Sequence, residues 1–405
     1  MAIPPEVTPR CTVLFATSGA PFGVTELWFQ PEAREVERSF DVVLLPTWPR
    51  GPLSPWPGRV LTENGRPRLR PFRVAKALVR SKELRSLLWS ARDTYNFRTA
   101  GKCVLAFFVA LQWAFELEDR KVPVCHIHAT TVASPAMTAA VIAQYLNLQS
   151  SGTAHRGDII RRGPRRAVNA LGLVRAISQR SQEMLLAQGC ESEVLKFGGL
   201  ESVASAPVCH PSATLSIVAI GHLSHVKGHT RALKMLVRAK EAGVNFTLEI
   251  FGNGPLQQEL LDEIHASGLD EQVHLRGLLP HDDLLKELET GRWNVLIHPS
   301  REHGDQHEGL PVAILEAASN GLCIIASDSG GTPEFLTHGV NGLLFGGADT
   351  EAAIETGAQS LIAVARDLEL QRSLGEHAIV DASAYVATKT VAGLRKAIES
   401  LPPRP

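Results

Sequence analysis

Residues 298 to 335 read HPSREHGDQHEGLPVAILEAASNGLCIIASDSGGTPEF. The apolar run just before them, Val295-Leu296-Ile297, has the unbroken hydrophobicity of a buried parallel strand. A polar, Gly-containing loop follows. Pro311 then takes a position suited to the first turn of a helix, where a missing N–H does no harm. Val312, Ile314, Leu315 and Ala318 give that helix a buried face, and Gly321 ends it. Cys323-Ile324-Ile325-Ala326 is the next strand. Ser329-Gly330-Gly331-Thr332 turns into a second short helix headed by Pro333-Glu334. Strand, loop, helix, strand, Gly-rich loop and helix in succession predict an open α/β fold with a parallel sheet.

The physics of such a unit points to a nucleotide-sugar. Helix N-termini carry free N–H groups and partial positive charge, which suit phosphate. Two of them, near Pro311 and Thr332, are expected at the sheet edge where ligands bind in open α/β folds. Glu308 stands before the first helix and Glu316 in its second turn. A carboxylate accepts paired hydrogen bonds from the hydroxyls of a ribose or hexose. Two isolated glutamates would read as solvated helix-end charges. These are embedded in E-G-L-P-x-x-x-L-E-A-x-x-x-G, followed by S-G-G-x-x-E.

The combined pattern resembles the donor-binding signature of family 4 glycosyltransferases, retaining enzymes of the two-domain B fold. The resemblance implies two Rossmann-like, doubly wound α/β domains facing a cleft. It places Glu308 against the donor sugar, as a catalytic-site residue, and Glu316 on the ribose, with Gly309, Leu310 and Pro311 beside them in the donor site.

Length and composition agree with two domains: 405 residues, 44% of them hydrophobic and 20% charged. Residues 1–205 carry 26 Lys and Arg against 17 Asp and Glu, and the remainder 15 against 25. Such asymmetry suggests domains with different partners. Cys11, Cys103, Cys125, Cys190, Cys209 and Cys323 are scattered without a C-x-x-C, so buried free thiols are expected before disulfides or zinc, as in a reducing compartment. The start, MAIPPEVTPR, has no apolar signal core. Cys103–Phe115 is too short an apolar window to span a bilayer and reads as a core helix. A cytoplasmic protein is expected.

The first domain, placed at 1–205, opens with a strand at Thr12–Ala16. Its glycine-bearing loop, with Gly23 and Glu26, resembles the acceptor-side loop of the same enzymes. Glu26 with Phe29 loosely matches the E-x-x-F context of the exopolysaccharide and colanic-acid branch; a helix-start acid favoured by the dipole is the competing reading. The region from Trp48 to Pro71 reads as a long loop. Arg59 to Lys102 holds 12 basic and 3 acidic residues, with Leu78, Leu84, Leu87, Leu88 and Trp89 interleaved. This reads either as contact with an anionic membrane surface or as the solvated face of ordinary helices. Nucleic acid is a poorer explanation, because no recognition motif accompanies the charge. Thr153-Ala154-His155-x-x-Asp158 matches the family's acceptor-side loop, which implies that His155 faces the reaction centre. The family's Asn-Gly-x-Asp turn reads Gly198-Gly199-Leu200-Glu201 here, a departure.

The second domain, placed at 206–375, opens at Leu215–Ile220. Gly221-His222-Leu223-Ser224-His225-Val226-Lys227-Gly228 resembles G-R-L-x-x-x-K-G, whose arginine and lysine hold the donor diphosphate. Lys227 matches; His222 replaces the arginine and its fixed hydrogen-bonding fork. Gly252 opens the turn after the next strand, and Leu279 lies in the loop the family sets beside the base. Residues 376–405 are read as a final helix crossing back to the first domain, plus a tail.

His303 and His307, with Glu302, Asp305 and Glu308 nearby, invite a metal reading, but Gly304 and a polar loop do not hold two histidines on one face. No D-x-D occurs. No metal is therefore expected, and no cofactor beyond a UDP- or GDP-linked sugar as co-substrate. The resemblance implies hexose transfer with retention to a carbohydrate acceptor, lipid-linked at the inner face of the cytoplasmic membrane. The alternatives are a catalytically silent binding or scaffold subunit, and a nucleotide-sugar epimerase of the same fold.

Overall fold

The structure, a computed structural model, describes residues 10–22, 29–53, 56, 58–94, 96–155, 159, 163–208, 210–301 and 309–400. The chain forms two units, residues 1–198 with 387–405, and residues 199–386.

Seven strands build the first unit: β1 (Thr12–Thr17), β2 (Asp41–Pro46), β3 (Arg59–Val60), β4 (Val124–Ala129), β5 (Gln149–Ala154), β6 (Leu173–Ala176) and β7 (Glu193–Val194). They lie in the order β3-β2-β1-β4-β5-β6-β7, every pair parallel. The order reverses between β1 and β4, where a doubly wound sheet opens a crevice at its carboxyl edge. Around the sheet run α1 (Gln30–Glu37), α2 (Pro71–Arg80), α3 (Lys82–Trp89), α4 (Phe97–Asp119), α5 (Ser134–Leu146), α6 (Arg165–Asn169) and α7 (Gln179–Ala187). Continuous apolar strands such as Leu14, Val43 and Leu45 are wholly buried because helices cover both faces.

α4 is the long helix of this unit. The Asn96 side chain accepts from the Thr99 amide at 2.9 Å and starts it. By length and composition α4 would suffice to cross a membrane, yet 61% of its apolar window is buried inside the protein. Phe107, Leu111, Trp113 and Phe115 fill the core beside Met137 of α5.

Three expectations change here. Leu84 and Leu87 are core residues, and Leu78 and Leu88 pack partly buried against them, so these four do not form an exposed apolar face. The exposed apolar side chains nearby are instead Leu69, Phe72, Val79, Trp89, Phe97 and Leu105. Part of the basic charge is neutralised: Arg70 pairs with Glu116 at 2.8 Å, and Arg73 with Glu118 and Asp119. Second, Cys11 and Cys125 form a disulfide, against the expectation of free thiols. Parallel pairing of β1 with β4 sets these distant cysteines side by side, with Cα atoms 5.9 Å apart. Cys103, Cys190 and Cys323 are buried and outside any disulfide, and Cys209 lies outside the described residues. Third, the stretch read as one loop from Trp48 to Pro71 contains β3.

The second unit has β8 (Leu215–Ile220), β9 (Phe246–Phe251), β10 (Val273–Gly277), β11 (Val295–His298), β12 (Cys323–Asp328) and β13 (Leu343–Gly346), all parallel in the order β10-β9-β8-β11-β12-β13. Its helices are α8 (His229–Glu241), α9 (Gln257–Ala266), α10 (His281–Glu289), α11 (Val312–Ser319), α12 (Glu351–Arg366) and α13 (Leu368–Ala382). The last helix, α14 (Ala387–Glu399), belongs to the first unit and packs on α1.

The units divide at residues 198/199 and 386/387, compared with the 205/206 and 375/376 read from sequence. The supposed linker explains the first shift. Leu200 bridges to Val386 and is buried, Ala204 donates to the Ser319 carbonyl at 2.8 Å, and Val208 to that of Asn320 at 3.1 Å. These bonds make the segment part of the second unit. The second helix read at the Gly-rich loop is a single 3-10 turn, Thr332–Glu334.

Candidate active site

In the second unit the strand order reverses between β8 and β11, and described residues after β8 and β12 meet those flanking the β11–α11 loop, Gly228 at Pro299 and Gly331 at Gly309. The β8–α8 loop is held close by small residues. At Gly221 an added Cβ would lie 3.1 Å from Lys227 Cδ and Cε and 3.4 Å from Nζ, so the lysine side chain lies across that glycine. Gly252 abuts the Gly221 carbonyl, leaving no room for a side chain. Gly228 is left-handed, with φ +66°, and its Cα faces the Pro299 carbonyl. Only glycine combines that conformation with such an approach. Arg301 N–H donates to the Val226 carbonyl at 2.8 Å, which completes the seam between the two loops.

Arg231 of α8 is almost fully buried. It donates to the carbonyls of Ser300 at 3.1 Å, Gly346 at 2.7 Å and Ala348 at 3.1 Å, tying the ends of β11 and β13 together. Burial pushes His229 down to about 4, aided by His298 and Lys227, so Lys227 supplies positive charge beside a neutral ring. The family-typical arginine position is held by His222, which is exposed.

The Gly-rich turn rests on the motif that precedes α11. Gly331 N–H donates to the Gly309 carbonyl at 3.3 Å, and a Cβ on Gly331 would come within 2.7 Å of the Leu310 nitrogen. Pro311 caps α11 and is buried. Glu316 of α11 is 4% exposed, and its Oε1 lies 2.6 Å from His281 Nε2 at the start of α10. Leu279 packs beside this region, partly buried. Gly221, Gly252, Lys227, Gly309, Leu310 and Pro311 thus line converging loops, with Glu316 on the helix behind them. Glu308, and with it the residues of the metal reading, Glu302 to His307, lie outside the described residues.

In the first unit, His155 follows β5 and meets Phe197 edge-to-face at 5.6 Å. Burial, with the charge of Arg175, pushes its ring down to about 3, while a hydrogen bond to the Thr130 backbone opposes the shift. The imidazole is neutral at physiological pH and suited to sugar hydroxyls. Beside it, buried Arg175 makes a paired contact with Glu32 at 2.9 and 2.7 Å and donates to Thr153 Oγ1. Glu32 also accepts from Gly198 N–H at 2.9 Å and Thr390 Oγ1 at 3.1 Å. The Gly198 position of the altered turn is thereby fixed, without the family's side chains. Gly23, Glu26 and Asp158 lie outside the described residues.

Sequence reasoning missed Arg231, His229, His281 and the Arg175–Glu32 pair. Arg231 and His229 sit in α8 just after Lys227, where polar side chains read as solvated from sequence. Their burial was not signalled.

Two parallel-sheet α/β domains of this construction make the glycosyltransferase B fold. The chain shares it with the Anabaena protein Alr3699/HepE, solved in complex with UDP and glucose (TM-score 0.66, 17% identity, covering 97% of this chain and 100% of that one). It shares it also with the lipopolysaccharide outer core galactosyltransferase WaaB (TM-score 0.67, 14% identity, 96% and 99%). Within that fold, residues 210–379 match the family model described as glycosyl transferases group 1, and this stretch is a domain of that family. By sequence the chain is similar to the amylovoran biosynthesis glycosyltransferase AmsK of Erwinia amylovora, at 30% identity over 186 residues, 44% of this chain and 45% of AmsK. It is similar also to the putative colanic acid biosynthesis glycosyltransferase WcaL of Escherichia coli K12, at 30% over 146 residues, 36% of each. The matches span less than half the length of these two curated relatives.

Proposed function

We propose that this chain is a retaining hexosyltransferase of exopolysaccharide assembly. It takes a hexose from a UDP- or GDP-linked donor and passes it to a carbohydrate acceptor. One observation carries the reading: Lys227 lying across Gly221, the Gly309-Leu310-Pro311 seam and buried Glu316 are built into one sheet edge of a group 1 domain. When the bond from the anomeric carbon to the diphosphate breaks, negative charge grows on the departing oxygen. Lys227 and the backbone amides that start α11 supply fixed positive potential for it. Glu316 accepts from the ribose hydroxyls. In this reading Glu308 serves the hexose, and neutral His155 of the first unit is suited to a sugar hydroxyl.

The donor site works without a metal ion. The chain has no D-x-D to carry one, and Lys227 stands where charge compensation is needed. Thermal-shift measurement with UDP, GDP and ADP tests the site. The cognate diphosphate at about a hundred times its Kd adds about 2.7 kcal/mol to stability. That gain should persist in EDTA and disappear in Lys227→Ala. No shift with any nucleotide, or a shift that needs Mg²⁺ or Mn²⁺, contradicts the reading.

The acceptor is lipid-linked, and the first unit docks on an anionic bilayer. Phe97, Phe72 and Leu69 are 98%, 90% and 85% exposed, among basic residues that include Arg66 and Arg68. An apolar side chain set among cations is the composition of an interfacial anchor.

A further inference from the structure

His281 and Glu316 are 35 residues apart in sequence and meet side chain to side chain. Among the described residues, His281 is the one side-chain partner of the Glu316 carboxylate. A carboxylate buried as deeply as Glu316 requires a donor to offset its lost hydration. Among the described residues, the charges that act most strongly on His281 are acidic: Glu316 from α11, Asp282 from its own helix, and Glu201 from the segment after residue 198.

A carboxylate has two oxygens and about four acceptor sites. His281 Nε2 donates to Oε1, which fixes the plane of the group and leaves Oε2 for a ligand. We propose that His281 is a positioning residue for the donor's ribose, holding Glu316 so that Oε2 accepts from the vicinal hydroxyls, and that its charge tunes donor affinity. This rests on the reading of Glu316 as the ribose contact. The Glu316 hydrogen bond raises His281 above the ordinary histidine value, against the effect of burial. Below that raised value the pair is neutral overall. As pH rises through it, the imidazolium is lost and the site gains one negative charge near Asp282 and Glu201. A nucleoside diphosphate is an anion, so it then binds more weakly.

Calorimetric titration tests this with UDP and GDP and their 2′-deoxy counterparts, between pH 6.5 and 9. The variants are His281→Gln, His281→Ala and Glu316→Gln, each checked for a native melting transition. The wild type should prefer the ribonucleotide about tenfold, the size of one hydrogen bond to a charged group. Its affinity should fall at alkaline pH. His281→Gln keeps an N–H donor without the charge, so it should retain most of the ribose preference and lose the alkaline step. His281→Ala should lose both. An alanine variant with both the preference and the step intact overturns the role of His281. A Glu316→Gln variant that keeps the ribose preference overturns the ribose reading itself, and the positioning role with it.

Discussion

At the scale of single residues, the buried charges carry the largest consequences. Arg175 and Glu32 are both almost fully buried, and Glu32 collects donors from Arg175, Gly198 and Thr390. Removing one member of such a pair leaves an uncompensated charge in a medium that solvates it poorly. Arg175→Met should therefore destabilise the protein by about 3–5 kcal/mol in urea unfolding. Replacing both partners with apolar residues of similar volume should cost much less. A single mutant within 1 kcal/mol of wild type, roughly the worth of an exposed pair, would show that water reaches Glu32. Lys227 and Glu316 drew notice in sequence because each sits in a local motif that resembles the family's donor-binding signature. Arg175–Glu32 and His281–Glu316 were not: they join residues 143 and 35 positions apart, and no local pattern announces such a pairing.

At the scale of elements, apolar runs foretold strands well. Val295-Leu296-Ile297 and Cys323-Ile324-Ile325-Ala326 are both buried and pair in parallel. Composition was a poorer guide to which face of a helix is wet. The interleaved leucines of α2 and α3 turn toward the core, because Val74 and Ala77, then Leu84 and Leu87, form a stripe at helical spacing. That leaves Phe72 and Val79 of α2, and Phe97 at the start of α4, outside. The proposed membrane contact therefore belongs to these side chains and to Arg66 and Arg68, whose guanidinium groups make no ion pair among the described residues. Each basic side chain at an anionic surface contributes about 1 kcal/mol, so several suffice for reversible docking. The protein should sediment with vesicles containing anionic lipid at low salt and be released at high salt. Arg66→Glu with Arg68→Glu should weaken this, as should Phe72→Asp with Phe97→Asp. Binding that is negligible under every condition rejects the idea. Arg70 and Arg73 make poor test positions, since their ion pairs with Glu116, Glu118 and Asp119 hold α2 to α4.

At the scale of the whole molecule, the alternation of strands and helices predicted a parallel sheet and the family resemblance implied two doubly wound domains; the strand orders, with their reversals between β1 and β4 and between β8 and β11, agree. The unit boundaries were not legible in sequence, because the 199–208 segment is rich in small residues with a proline and no helix or strand period, yet is bonded into the second sheet's helical layer. The account stands on the proposed donor site at the sheet edge of that second unit. Its most direct test is release of nucleotide from UDP- and GDP-linked hexoses by the purified full chain, for wild type, Lys227→Ala and Glu316→Ala side by side. The account predicts slow hydrolysis of one donor by the wild type, stimulated by a carbohydrate acceptor. Each variant should be at least tenfold slower, consistent with loss of about 1.4 kcal/mol or more of transition-state stabilisation. Intact nucleotide binding with no turnover of any nucleotide-sugar, or variants that turn over as fast as wild type, would contradict it.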